Sequence, residues 1–117
     1  MIELYTWIYD TLITESYDSI SSDFDFINNA YAVEVKIGEN IVNRLNIDDI
    51  TLQVRIVGLS KNKITLLEKA EQLDNTINNS YYENYHIVRE NPYMATYIDE
   101  DKTNIVLQYL VKRFNFK

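Results

Sequence analysis

The single histidine, His86, sits inside "YYENYHIVRE". An imidazole can give or take a proton near neutral pH, but one imidazole cannot build a multi-histidine metal site, and no orienting partner is visible beside it. A structural or solvent-facing role is expected. The run "IDEDK", residues 98 to 102, offers carboxylates to a cation. A calcium loop, however, needs alternating ligands, a glycine at the bend and a distant bidentate glutamate. Those are missing, so a solvated hairpin turn is expected. The carboxylate pairs Asp23/Asp25 and Asp48/Asp49 fall in loop-like stretches, with no sign of the burial that would tune them for acid–base work. Gly38 and Gly58 stand too far apart for a phosphate loop, and there is neither a serine elbow nor a cysteine nucleophile. Trp7 reads as packing within a helix rather than as a platform for bases. The expectation is a non-enzymatic protein with no catalytic residue, no metal ligand and no cofactor.

Composition narrows the partners. At 117 residues the chain is expected to be one domain spanning 1–117. Its net charge of −7 opposes non-specific binding to nucleic-acid phosphates. An acidic wall still suits a conduit through which DNA passes without sticking, and the same charge also serves solubility. With no cysteines, disulfides and thiolate metal sites are excluded. The opening "MIELYTWIYD" lacks a basic region and carries Glu3 and Asp10, which argues against a signal peptide. No apolar run reaches the ~20 residues of a membrane helix, so synthesis in a cytoplasm and no membrane partner are expected. Ten tyrosines stand beside thirteen asparagines and fifteen isoleucines. Two explanations stay open: an A/T-rich coding bias, or enrichment at an interface, where a large ring with a hydroxyl is useful.

The elements follow from periodicity. Residues 2–14 place Leu4, Ile8 and Leu12 at steps of four, predicting a helix, and "DSISSDFD" reads as a loop. Residues 30–37 alternate, with Tyr31, Val33, Val35 and Ile37 on one face and Ala30, Ala32, Glu34 and Lys36 on a wet one. Residues 50–57 repeat the device. Between them, residues 38–49 are too many for a tight hairpin and predict a long apolar loop. "KNKITLLEKAEQLDNTINN" predicts a second helix with Leu66, Ala70, Leu73 and Ile77 on its apolar stripe, capped by Ser60 or Asn62. Residues 81–98 read as extended, with Pro92 marking an edge, a bulge or a break. "DEDK" makes a turn at 99–102. In the last strand Ile105, Leu107, Tyr109 and Val111 share one face, while Val106, Leu110, Phe114 and Phe116 share the other. The fold class expected is α+β: an antiparallel sheet of about four strands packed against two helices, in the order α-β-β-α-β-β.

This order, the "ITLQVRIVGLS" strand before an amphipathic "LSKNKITLLEKAEQLDNTIN" helix, and the closing "YHIVRENPYMATYIDEDKTNIVLQYLV" hairpin carry a resemblance over nearly the whole chain. It resembles the small tail-terminator and minor capsid proteins of long-tailed bacteriophages and of phage-like tail particles. The resemblance implies a structural subunit, made in a bacterial cytoplasm, that assembles with itself into a ring, usually of six. Such a ring caps the tail tube, ends its polymerisation and offers a head-joining surface. Tail-tube protein, and a sheath or head-completion protein, are the implied partners; DNA passes without being specifically bound. Alternatives are a head-completion or neck connector on the portal side and, from another class, a small peptide- or protein-binding module. A ring needs two different patches on each subunit. The candidates are the loop residues Ile41, Val42, Arg44 and Leu45 and the second face of the last strand, Val106, Leu110, Phe114 and Phe116.

Overall fold

The computed structural model describes residues 2–13, 15–44, 47–90 and 95–114. Helix α1 (Ile2–Trp7) continues as one π-helical turn (Ile8–Leu12), in which the Ile13 N–H reaches the Ile8 carbonyl at 2.8 Å. Strand β1 (Ala32–Arg44) turns back into β2 (Ile47–Leu59). A 3₁₀ turn (Ser60–Asn62) leads into α2 (Lys63–Ile77). Then come β3 (Tyr81–Tyr82), β4 (Tyr85–Arg89), β5 (Ala95–Asp99) and β6 (Lys102–Phe114). All strand pairs are antiparallel, in the order β1-β2-β6-β4-β3, with β5 lying beside β6 along the same edge as β4. Three strands of 13 residues draw the molecule out to 51 × 26 × 22 Å.

The expected sheet of about four strands is therefore wrong: two helices lie on a six-stranded antiparallel sheet. Two segments account for the difference. Residues 38–44 and 47–49 belong to β1 and β2 rather than to a long loop. β1 and β2 keep pairing past the expected ends, through Ile41↔Ile50 to Arg44↔Ile47. What disguised the strand is a bulge: Ile37 pairs with Leu52 and Ile41 with Ile50, so residues 38–40 stand against Thr51 alone. Gly38 suits that spot because a Cβ there would overlap the Thr51 side chain. The described parts of the expected extended segment 81–98, in turn, hold three strands, β3, β4 and the start of β5. β4 and β5 both pair with β6, but their registers differ, Arg89 facing Tyr109 and Ala95 facing Val106. Pro92 lies outside the described residues. The acidic turn is where it was expected, with Asp99 paired to Lys102 and Glu100 at φ 56°.

One sheet face carries the main core. Val33 and Val35, Ile50 to Ile56 at every second position, Ile105 to Val111 likewise, and Tyr85 and Ile87 are all at most 1% exposed. Helix α2 covers this face with Leu66, Ala70, Leu73 and Ile77, the predicted stripe, and α1 adds Leu4, Trp7 and Ile8. Each such aliphatic contributes about 1.5–3 kcal/mol by leaving water. Gly58 lets α2 sit close, since a Cβ there would fall 2.6 Å from Leu66 Cδ2 and 2.5 Å from the Ala30 carbonyl. The predicted side-chain cap of α2 does not form: Asn62 makes no capping bond, and Ser60 Oγ bonds Thr103 Oγ1 at 2.8 Å instead.

The second face is not uniformly wet, as the alternation had suggested. The chain leaves the π-helix and clips the outer edge of β1, where Tyr17 accepts from the Val35 N–H (2.9 Å) and donates to the Val33 carbonyl (2.8 Å). It then folds over the second face. Phe26, with Ile20 and Phe24, seals Ala32 and Val57 into a small second core. That cover ends near one end of the sheet.

Candidate functional site

The second sheet face has two halves. In the covered half, Glu34 and Arg55 form an ion pair at 3.0 Å. Glu34 also accepts from the Ile20 N–H at 3.1 Å, and Arg55 donates to Asn104 Oδ1 at 3.0 Å. Burial alone would push the Glu34 carboxyl up; the Ile20 amide and the Arg55 guanidinium outweigh it and hold the group below its ordinary value. These groups lock the 15–31 loop onto β1 and β2.

In the other half, Thr51 and Gln53 on β2, Val106, Gln108, Leu110, Lys112 and Phe114 on β6, and His86 and Val88 on β4 are half-buried. No element covers them among the described residues. Register makes the rows: Leu110 lies between Thr51 and Val88, and Lys112 between Asp49 and His86. His86 stacks on Tyr81 with ring centroids 3.9 Å apart and planes at 4°, and its Nε2 meets Asn79 Oδ1 at 3.0 Å. Burial, then the Lys112 charge, push its pKa down. That is an imidazole held by packing and a side-chain amide.

Of the interface candidates read from sequence, β1 residues 41, 42 and 44 and β6 residue Phe114 come together at one corner, while Leu110 and Val106 lie progressively farther along β6, Val106 beside Arg55 and Ala95. β1 residues 41–44 lie two strands from β6 residues 111–114, through Val42↔Asp49↔Lys112 and Arg44↔Ile47↔Phe114. Val106, Leu110 and Phe114 share the second face as expected. Leu45 and Phe116 lie outside the described residues, as do the side chains of Ile41, Val42 and Arg44.

Near that corner the core face carries a polar cluster that sequence reasoning missed. Asp48, read as a loop acid, is 2% exposed there; its neighbour Asp49, read the same way, is 7% exposed on the second face, beside Lys112. Arg113 Nε donates to Asp48 Oδ2 at 3.0 Å, and the Tyr85 hydroxyl donates to Glu3 Oε1 at 3.2 Å. The bond to Asp48 holds the Arg113 guanidinium above its ordinary pKa. Farther along, the buried Tyr109 hydroxyl donates to Asp74 Oδ1 at 2.7 Å, and Arg89 reaches Asp74 Oδ2 at 2.7 Å. Burial and then Asp74 push the Tyr109 phenol upward. Both clusters tie helices to the sheet. An outward Arg in an alternating strand, such as Arg55, was the only sequence hint that such pairs exist.

A depression of about 490 Å³ beside β1, lined by Glu15, Tyr17, Phe24, Asn28 and Tyr31 among others, brings no second acid or base to Glu15. Among the described residues, no group of three or more His, Asp or Glu side chains could hold a metal, and no helix is long and apolar enough to cross a membrane. What this geometry offers is surface: a half-apolar sheet face and, among the described residues, open strand edges at β1, β3 and β5. No protein-family model matches the chain, and no curated protein is similar enough to match it.

Proposed function

We propose that this chain is a structural subunit of a long-tailed bacteriophage or phage-like tail particle, a tail terminator whose ring of identical copies caps the tail tube. The observation that carries the reading is the uncovered half of the second sheet face, where Val88, Val106 and Leu110 remain half-buried with no covering element among the described residues. A sheet face left in that state in a small domain fits an assembly partner better than solvent. The net charge of −7 adds to it, since an acidic ring lets DNA pass without holding it. The resemblance in element order to tail-terminator proteins supplies the particular role.

The test is tube growth. Tail-tube subunits polymerising with this protein present should stop short and carry a cap visible by negative-stain electron microscopy. Tubes of unchanged length and bare ends would reject the reading; binding to a portal assembly instead would favour the neck-connector role. A second reading, a module that binds an extended peptide, draws on the free outer edge of β1 beyond Val35. It requires a monomer that stays a monomer.

A further inference from the structure

We propose that copies of this chain join edge to edge, the outer edge of β5 pairing antiparallel with the outer edge of β1 in the next copy, so that Ile98 stands opposite Ile37 and Asp99 opposite Lys36. The contact deepens the ring reading above and rests on it for closure; the pairing itself is argued from the two edges alone.

Direction comes first. Each strand in the series β1, β2, β6, β5 runs against its neighbour, so β5 runs against β1. Setting the β5 edge of one copy beside the β1 edge of another continues an antiparallel sheet without a break. β1 ends the sheet order, and β5 has no strand on its outer side among the described residues.

The phase of the ladder agrees. On β1, the Val33 carbonyl and the Val35 N–H point outward to Tyr17. Backbone groups alternate along a strand, so Ile37 is the next residue whose N–H and C=O face out, and Lys36 faces β2. On the other edge, Asp99 and Lys102 flank a two-residue turn and bond to each other across it. Ile98 therefore points its backbone outward. Ile98 and Ile37 can exchange both hydrogen bonds, and Asp99 with Lys36 becomes the adjoining close pair without backbone bonds, with Cα atoms ~4.5 Å apart.

Side chains agree in the same register. Ile98 is 69% exposed and lies on the helix-covered side of the sheet, in line with Thr103. Ile37 lies on that side too, opposite Leu52 and against the core. Asp99 and Lys36 are both exposed, lie on the second face and carry opposite charges. Tyr97, 46% exposed, falls over Gly38, which has no side chain to oppose it. A slip of one residue would move every side chain to the wrong face. A slip of two one way meets Val35, whose edge Tyr17 already occupies. A slip of two the other way takes Lys36 from Asp99.

The contact is heterologous: each copy gives one edge and accepts another, so a closed circle leaves neither of these two edges exposed. Its stagger suits closure. Within one copy Lys36 is level with Gln108 on β6, through Gln53, whereas the incoming Lys36 is level with Lys102. The step between those two levels is ~20 Å along the strands for a four-strand width of ~19 Å. That corresponds to a tilt of about 45°, at the upper end of the range seen in closed barrels.

The test uses the absence of cysteine from the chain. A Lys36→Cys/Asp99→Cys double variant, oxidised gently and run without reductant, should give a ladder of covalent multimers. Each single variant should give at most dimers, and Lys36→Cys/Thr96→Cys should give no ladder. These positions are exposed, and circular dichroism should report an unchanged fold. As a second arm, Lys36→Asp and Asp99→Lys should each weaken self-association about 2- to 5-fold per contact, and their combination should restore it. Rings that form equally well in all variants, with no ladder, would overturn the edge pairing while leaving the ring reading intact. A ladder from particles that ignore tail-tube subunits would uphold the pairing and sink the tail role. A monomer whose β1 edge takes up only an added extended peptide would overturn the pairing.

Discussion

The two faces of one sheet have opposite fates in this molecule. On the first, every second residue of β2 and β6 meets a helix and is sealed: Leu52, Val54, Leu107 and Tyr109 are fully buried. On the second, the neighbours of those residues are sealed only where Phe24 and Phe26 fold over them, and beyond that Val106, Leu110 and Phe114 stay half-buried. The strands are the same strands and their propensities the same. What differs is the length of what lies on top. A 15-residue helix rises about 22 Å, and 13-residue strands extend about 43 Å. The first face is completed by α1, which lies beyond α2. Among the described residues, the second has a loop and no successor. Stability should therefore be concentrated on one face and association on the other.

Substitutions can break that contrast. The largest loss is expected at the first face, where Leu107→Ala leaves a cavity under α2 and should cost about 2–5 kcal/mol in urea unfolding. A cost below ~1 kcal/mol would mean that the face is not the core. Next is Arg113→Ala, which leaves the Asp48 carboxylate, 3% exposed, without its guanidinium. About 3 kcal/mol should be lost, the low end for a broken buried pair because Arg113 keeps some solvent contact.

The covered half of the second face should respond less, and with a pH signature. Glu34→Gln weakens the charge-assisted bonds to Arg55 and Ile20 and should cost about 1–2 kcal/mol near neutral pH. The folded-state pKa of Glu34 lies below its ordinary 4.5. Its contribution is therefore complete above that value and disappears as the pH falls through the lowered one. Wild type and variant should converge in acid; a gap that persists at low pH would show that packing, not ionisation, is at stake. The smallest effect on folding is expected in the open half, where Leu110→Ser should change unfolding free energy by less than ~1 kcal/mol yet weaken self-association measurably. Equal losses of both would make Leu110 a core residue and erase the distinction between the halves.

How much of this the sequence disclosed depended on distance along the chain. The stripe Leu66–Ala70–Leu73–Ile77 and the acidic turn at 99–102 were readable because helical spacing and turn chemistry act within a few residues. The fates of Asp48 and Asp49 were not, since the partner of Asp48, Arg113, is 65 residues away. Residues 38–49 misled for a local reason: the bulge at Gly38 breaks the period-two pattern, so a strand read as a loop. "DSISSDFD" is the loop it was read as, but its composition gave no sign that Phe24 and Phe26 would supply the second small core. Among the interface candidates, the apolar residues of β6 could be assigned to a face by counting in twos. The edge residues Lys36, Tyr97, Ile98 and Asp99 could not be singled out, because an edge exists only once the order of strands is known.

We propose that surfaces left open in one copy, the uncovered half of the second face and the β1 and β5 edges, bring identical copies together. Sedimentation velocity across a concentration series tests it most directly. The account requires the 13.9-kDa chain to give way, as concentration rises, to a discrete larger species of fixed mass. A single 13.9-kDa boundary at every concentration, unchanged by tail-tube subunits, would contradict it.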